Sequence, residues 1–120
     1  MPGKFVVSLT AGPENSDRAT VAFVVANAAV GSDRETVVFL SMEGVRLSIQ
    51  GAVDTIHEAG FAKLADLIAS FAREGGKIFV CSPCFKKRQL DESKLVPGAM
   101  VVGGARLVEF MDQGTPSVSY

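Results

Sequence analysis

Two thiols stand three positions apart in Cys81-Ser82-Pro83-Cys84, and the chain has no others. A thiolate is the reactive form of cysteine, and positive potential stabilises it. A helix start supplies such potential through free N–H groups and the positive end of the macrodipole. Ser82 is suited to an N-cap and Pro83 to a first helical residue, so the spacing predicts Cys81 just ahead of a helix. Lys86, Lys87 and Arg88 add positive charge one or two turns on. In a reducing compartment a close cysteine pair points to thiol chemistry rather than a structural staple. The plainer alternative makes Cys81 a small apolar residue closing a buried strand.

Other residues carry weaker signals. His57 titrates nearest neutral pH and can serve as acid or base if its loop folds over the thiols, although a lone histidine beside Glu58 more often faces solvent. Gly12 and Asn15, in Gly12-Pro13-Glu14-Asn15, are expected on the same rim as Cys81, with Asn15 either capping a helix or offering a polar contact. Glu43 follows a strand and either reaches that rim or favours a helix start. The basic run 86–88 is either a solvated helix face or a dock for an anionic partner. Gly103-Gly104 reads as a tight turn, since neither G-x-G-x-x-G nor G-x-x-x-x-G-K-[ST] is present. One histidine and two cysteines do not make an ordinary zinc site. No cofactor and no metal are expected.

The elements that position these residues alternate. Lys4–Thr10 reads as a strand, followed by a helix from Asn15 or Ser16 to Val30, stopped at Gly31. Residues 36–40 form a second strand. Residues 42–60 hold a short helix near Val45–Ile49 and then a loop. Phe61, Leu64, Leu67, Ile68 and Phe71 make one helical stripe, ended by Gly75-Gly76. Strands at 77–80, 100–102 and 117–120 follow, with helices from Pro83 and after Gly104. Strands separated by helices imply parallel pairing through right-handed crossovers. The fold expected is a three-layer α/β/α sandwich on a mostly parallel five-stranded sheet, flavodoxin-like or Rossmann-like, in a single domain over 1–120. Such sheets place their sites at the C-terminal strand ends.

Composition narrows the partners. The net charge is −1, with 12 basic and 13 acidic residues, which disfavours a nucleic-acid binder. The longest apolar run, 19–30, falls short of the roughly 20 residues of a membrane span. The lead-in Met1-Pro2-Gly3-Lys4 does not read as a signal peptide, because the run 5–9 is short and no cleavage site follows. A cytoplasmic location is expected. Between Ala19 and Val30 only Thr20 and Asn27 are polar. A helix with so little polar surface suggests a second copy of the chain as cover.

The stretch 75–88 (GGKIFVCSPCFKKR), with Leu90-Asp91-Glu92 and 101–110 (VVGGARLVEF), resembles the DsrE/DsrF-like sulfur-relay family. The likeness extends to 10–14 (TAGPE), 37–40 with Glu43-Gly44-Val45, Gly60-Phe61 and Val118-Ser119-Tyr120, nearly the whole chain. It implies a small five-stranded α/β sandwich that assembles as trimers or hexamers. It also implies sulfur carried as a persulfide on the cysteine matching Cys81. A cysteine matching Cys84 occurs in many relatives but not in all relay subunits. Gln89 departs from the pattern, standing where relatives usually have glycine.

Three functions follow. In the first, Cys81 takes sulfur from a donor protein or small sulfur species and yields it to an acceptor thiol, with Cys84 resolving the persulfide. In the second, Cys81 and Cys84 cycle as a reversible disulfide. In the third, the rim binds a ligand or partner and the cysteines are structural.

Overall fold

A computed structural model describes residues 3–120, so Met1 and Pro2 of the lead-in lie outside the described residues. Five strands carry the fold: β1 (Lys4–Leu9), β2 (Glu35–Leu40), β3 (Lys77–Cys81), β4 (Ala99–Val102) and β5 (Ser117–Ser119). Four α-helices connect them: α1 (Ser16–Gly31), α2 (Leu64–Arg73), α3 (Ser82–Lys87) and α4 (Gly104–Phe110). The strands run in the order β4-β3-β2-β1-β5, and every pairing is parallel. This is the three-layer α/β/α sandwich expected from the alternating pattern.

The strand order explains the layers. From β1 to β4 the chain steps across the sheet in one direction. Right-handed crossovers therefore lay α1, α2 and α3 on one face. β5 lies on the other side of β1, so its crossover puts α4 on the opposite face. The cores follow suit. Val7, Leu9, Val38, Leu40, Ile78 and Val80 pack with α1, α2 and Phe85. Val6, Val37 and Phe79 pack with Leu107, Phe110 and Met111.

Asn15 caps α1, its side chain accepting the Arg18 N–H at 3.2 Å. The expected stop at Gly31 moves on slightly. Gly31 is the last helical residue, and Asp33, at φ 61°, makes the left-handed turn that ends it. Leu64, Ile68 and Phe71 are buried along α2, but the helix opens at Leu64 rather than Phe61. The N-cap Lys63 is extended, with ψ at 141°, so Phe61 stays outside the helix although its spacing fits. Gly75, at φ 96°, ends α2 as expected. Phe71 meets Phe23 of α1 edge-on, with centroids 5.9 Å apart. Asn27 of α1 donates to the Leu67 carbonyl at 3.0 Å, which ties the two helices with one of the few polar groups α1 has. On the outward side of α1, Val24 remains 36% exposed.

The segment after β2 is a 3-10 helix, Met42–Ser48, which starts earlier than the expected Val45–Ile49 and is more tightly wound. Among the described residues no helix is long and apolar enough to cross a membrane.

Candidate functional site

Cys81 is both the last residue of β3, in register with Val102, and the N-cap of α3. The cap lies one residue earlier than expected. Ser82 and Pro83 are the first two helical residues, and Ser82 caps nothing. The reason is geometric: β3 stays paired through Cys81, so the turn into the helix falls on that residue. Pro83 brings no N–H, and at this place in a helix none is needed. Both cysteines are free thiols and half-buried, packed against the edge of the larger core.

The surroundings of Cys81 work against the expected thiolate in the resting protein. Burial pushes the Cys81 thiol up, and the neighbouring Cys84 thiol and its charge push the same way. The Cys84 backbone N–H and, more weakly, the Arg88 charge pull it down without prevailing. α3 has only six residues, too short for a strong macrodipole. Burial of a neutral thiol is cheaper than burial of its anion.

The basic run divides. Lys86 and Lys87 face solvent. Arg88 turns inward, with 14% of its side chain exposed, and its Nε donates to Glu43 Oε1 at 2.9 Å. Its Nη1 donates to the Cys84 carbonyl at 3.1 Å. The second Glu43 oxygen accepts Arg46 Nε at 2.6 Å. Arg46, then Arg88, holds the Glu43 carboxyl below the usual carboxylate range. Glu43 thus reaches the rim as the anchor between the 3-10 segment and α3. Immediately before it, the Met42 N–H donates to Cys84 Sγ at 3.2 Å.

Two glycines let this segment sit on the end of β1. A Cβ at Gly12 would run into the Glu43 carbonyl oxygen, and one at Gly44 would come within 2.5 Å of the Leu9 carbonyl oxygen. The Gly44 N–H donates to the Thr10 carbonyl at 3.1 Å, closing the same junction. Gly12 therefore shapes the rim through its lack of a side chain. Asn15 serves α1 as its cap. His57 is exposed and its Nε2 lies 2.8 Å from the Phe61 carbonyl oxygen, so its observed bond closes its own loop. Nothing in its bonding brings it to the thiols. No group of three His, Cys, Asp or Glu side chains suited to a metal ion occurs among the described residues.

Sequence reasoning missed Met42 and Arg46. Arg46 was legible as the i+3 partner of Glu43. Met42 had no such signal, because it acts through its backbone.

The DsrE/DsrF-like family model matches residues 3–118. The uncharacterized protein MJ0760 of Methanocaldococcus jannaschii is 28% identical over 109 residues, covering 91% of this chain. The match takes in only 39% of that protein, so the chain spans well under half of its relative. Among solved structures, the ychN protein of E. coli superposes with a TM-score of 0.82 at 15% identity, over 100% of both chains. MTH1491 of Methanobacterium thermoautotrophicum, a protein of unknown function, reaches a TM-score of 0.67 at 16% identity, over 98% of this chain and 99% of that one. At these identities the structural likenesses speak to the fold.

Proposed function

The chain belongs to the DsrE/DsrF-like family, which is linked to sulfur relay, and we propose that it carries sulfur as a persulfide on Cys81 and yields it to an acceptor thiol. The observation that supports this most is the placement of Cys81. A half-buried thiol at a C-terminal strand end, with a second thiol one helical turn on, suits a nucleophile that must accept and then release a reactive sulfur atom.

The Cys81 thiolate attacks the outer sulfur of a donor persulfide, and the donor leaves as a thiolate. An acceptor thiolate then attacks the outer sulfur of the Cys81 persulfide and restores the Cys81 thiolate. Alternatively, Cys84 attacks the inner sulfur, which expels sulfide and leaves a Cys81–Cys84 disulfide. Partial burial shields the persulfide from further oxidation. The exposed Lys86 and Lys87 favour approach of anionic sulfur species or an acidic partner protein.

The proposal extends to a cytoplasmic location and to assembly of identical chains as a trimer or hexamer. Val24, Met100 and Val108, exposed by 36%, 37% and 71%, support such assembly.

Intact mass spectrometry after treatment with a persulfide donor tests the carrier role. Wild type and Cys84→Ser should each gain one sulfur atom, and Cys81→Ser should not. If wild type and Cys84→Ser gain no sulfur and Cys81→Ser is indistinguishable from them, the proposal fails. The spacing of two free thiols one helical turn apart favours a second reading, a reversible dithiol. That reading requires turnover in a disulfide-reduction assay and its loss when either cysteine is replaced.

A further inference from the structure

The two thiols are held differently. Cys84 Sγ receives the Met42 N–H at 3.2 Å. Met42 reaches it with φ at 53°, a left-handed conformation unfavourable for a residue that carries a side chain. An N–H aimed at sulfur favours negative charge there. A ring of contacts keeps it aimed. Glu43, next after Met42, binds Arg88 at 2.9 Å and Arg46 at 2.6 Å. Arg88 also binds the carbonyl of Cys84 itself at 3.1 Å. The donor and the sulfur are thus fastened to each other through both chain segments. Cys81 receives only the Cys84 amide from its own turn, with no second chain segment fastened to it, and burial outweighs that amide.

We propose that Glu43 and Arg88 are positioning residues that hold the Met42 amide on Cys84, so that Cys84 carries the negative charge of the pair and is the base that takes the Cys81 proton. This rests on the carrier role proposed above. The step balances without an outside oxidant or reductant. Cys84–S⁻ takes the proton of Cys81–SH. Cys81–S⁻ attacks the outer sulfur of R–S–SH, its new S–S bond forming as the R–S to outer-sulfur bond breaks. R–S⁻ leaves and recovers the proton from Cys84–SH. The sum is Cys81–SH plus R–S–SH giving Cys81–S–SH plus R–SH, with Cys84 again an anion.

The charged and titratable groups around Cys84 are few. α3 with its cap brings Cys81, Lys86, Lys87 and Arg88, and the 3-10 segment brings Glu43 and Arg46. β4 has no charged residue, and the one charge of β3, Lys77, lies at its far end.

The test is alkylation of each thiol across pH 6–10, read by peptide mass, together with the Met42 amide proton shift by NMR. No persulfide is added, so the outcome is separate from sulfur loading. Cys84 should alkylate at lower pH than Cys81. The Met42 amide should titrate with the Cys84 midpoint and cease to do so in Cys84→Ala. Glu43→Ala should slow Cys84 alkylation near neutral pH by about tenfold, the scale of one hydrogen bond to a charged group. Glu43→Gln, which can still accept from Arg88, should recover most of that loss. The proposal is overturned if Cys81 alkylates first. It is equally overturned if Met42 does not titrate, or if Glu43→Ala leaves Cys84 unchanged or speeds both thiols together.

Discussion

The two faces of the sheet have opposite fates. On one, α1, α2 and α3 close over Val7, Leu9, Val38, Leu40, Ile78 and Val80. On the other, α4 alone, seven residues long, shelters Val6, Val37 and Phe79. Charged side chains extend that thin cover. Lys4 Nζ stands 4.9 Å from the centre of the Phe110 ring, and the Arg106 guanidinium lies 5.5 Å from that of Phe79. Their apolar stems screen rings that helices would otherwise cover. Met100 and Val108 stay exposed at 37% and 71%. The difference arises from topology: a single reversal of strand order, between β1 and β5, sends one crossover to the second face. The thiols belong to the edge of the well-covered face, where rigid packing can hold a reactive group in place.

The sharpest way to break this contrast is to remove one ring from each face. Phe71→Ala opens a fully buried site and should cost about 3–5 kcal/mol in urea unfolding. Phe110→Ala removes a half-buried ring and should cost about 1–2 kcal/mol. Equal losses would mean that the faces are equivalent. Next, a charge on the thin face probes whether other copies of the chain complete it. Met100→Glu should leave the circular-dichroism spectrum intact and reduce the mass in sedimentation to that of one chain. An unchanged assembly would put the contact elsewhere.

Smaller effects sharpen the picture around the thiols. Gln89 follows α3 in a left-handed conformation, φ 54°. Gln89→Gly should raise stability by about 0.5–1 kcal/mol, the relief of a side chain in that region less the entropy glycine adds to the unfolded chain. Thermal unfolding would check it. The smallest effect concerns Glu43. Its folded pKa lies below the ordinary value of 4.5 because Arg46 and Arg88 bind the ionised form. Its contribution is therefore complete above that ordinary value and is lost as pH falls through the lower folded one. Urea midpoints for wild type and Glu43→Gln should converge as pH drops from 6 to 3. Curves that stay parallel would mean the carboxylate does not couple to folding.

Much of this molecule could be read from local patterns. Apolar runs marked the strands, the spacing of Leu64, Ile68 and Phe71 marked α2, and Asn15 was legible as a cap. The limits of that reading are equally local in origin. Phe61 matched the stripe but lies ahead of an extended Lys63, and spacing alone does not reveal a backbone angle. Ser82 matched a capping preference, but strand pairing with β4 carried the extended chain to Cys81. The run 86–88 looked uniform until Arg88 found Glu43, 45 residues away.

By itself, the order of residues determined the alternation of strands and helices, and hence a thiol pair at a strand-to-helix junction, because these depend on hydrophobic period and near-neighbour geometry. Only the tertiary structure decided the charge environment of the two sulfurs. Burial, the Met42 amide and the Glu43–Arg88 pair act through space, and folding had to bring two separate segments together before any of them could reach the thiols.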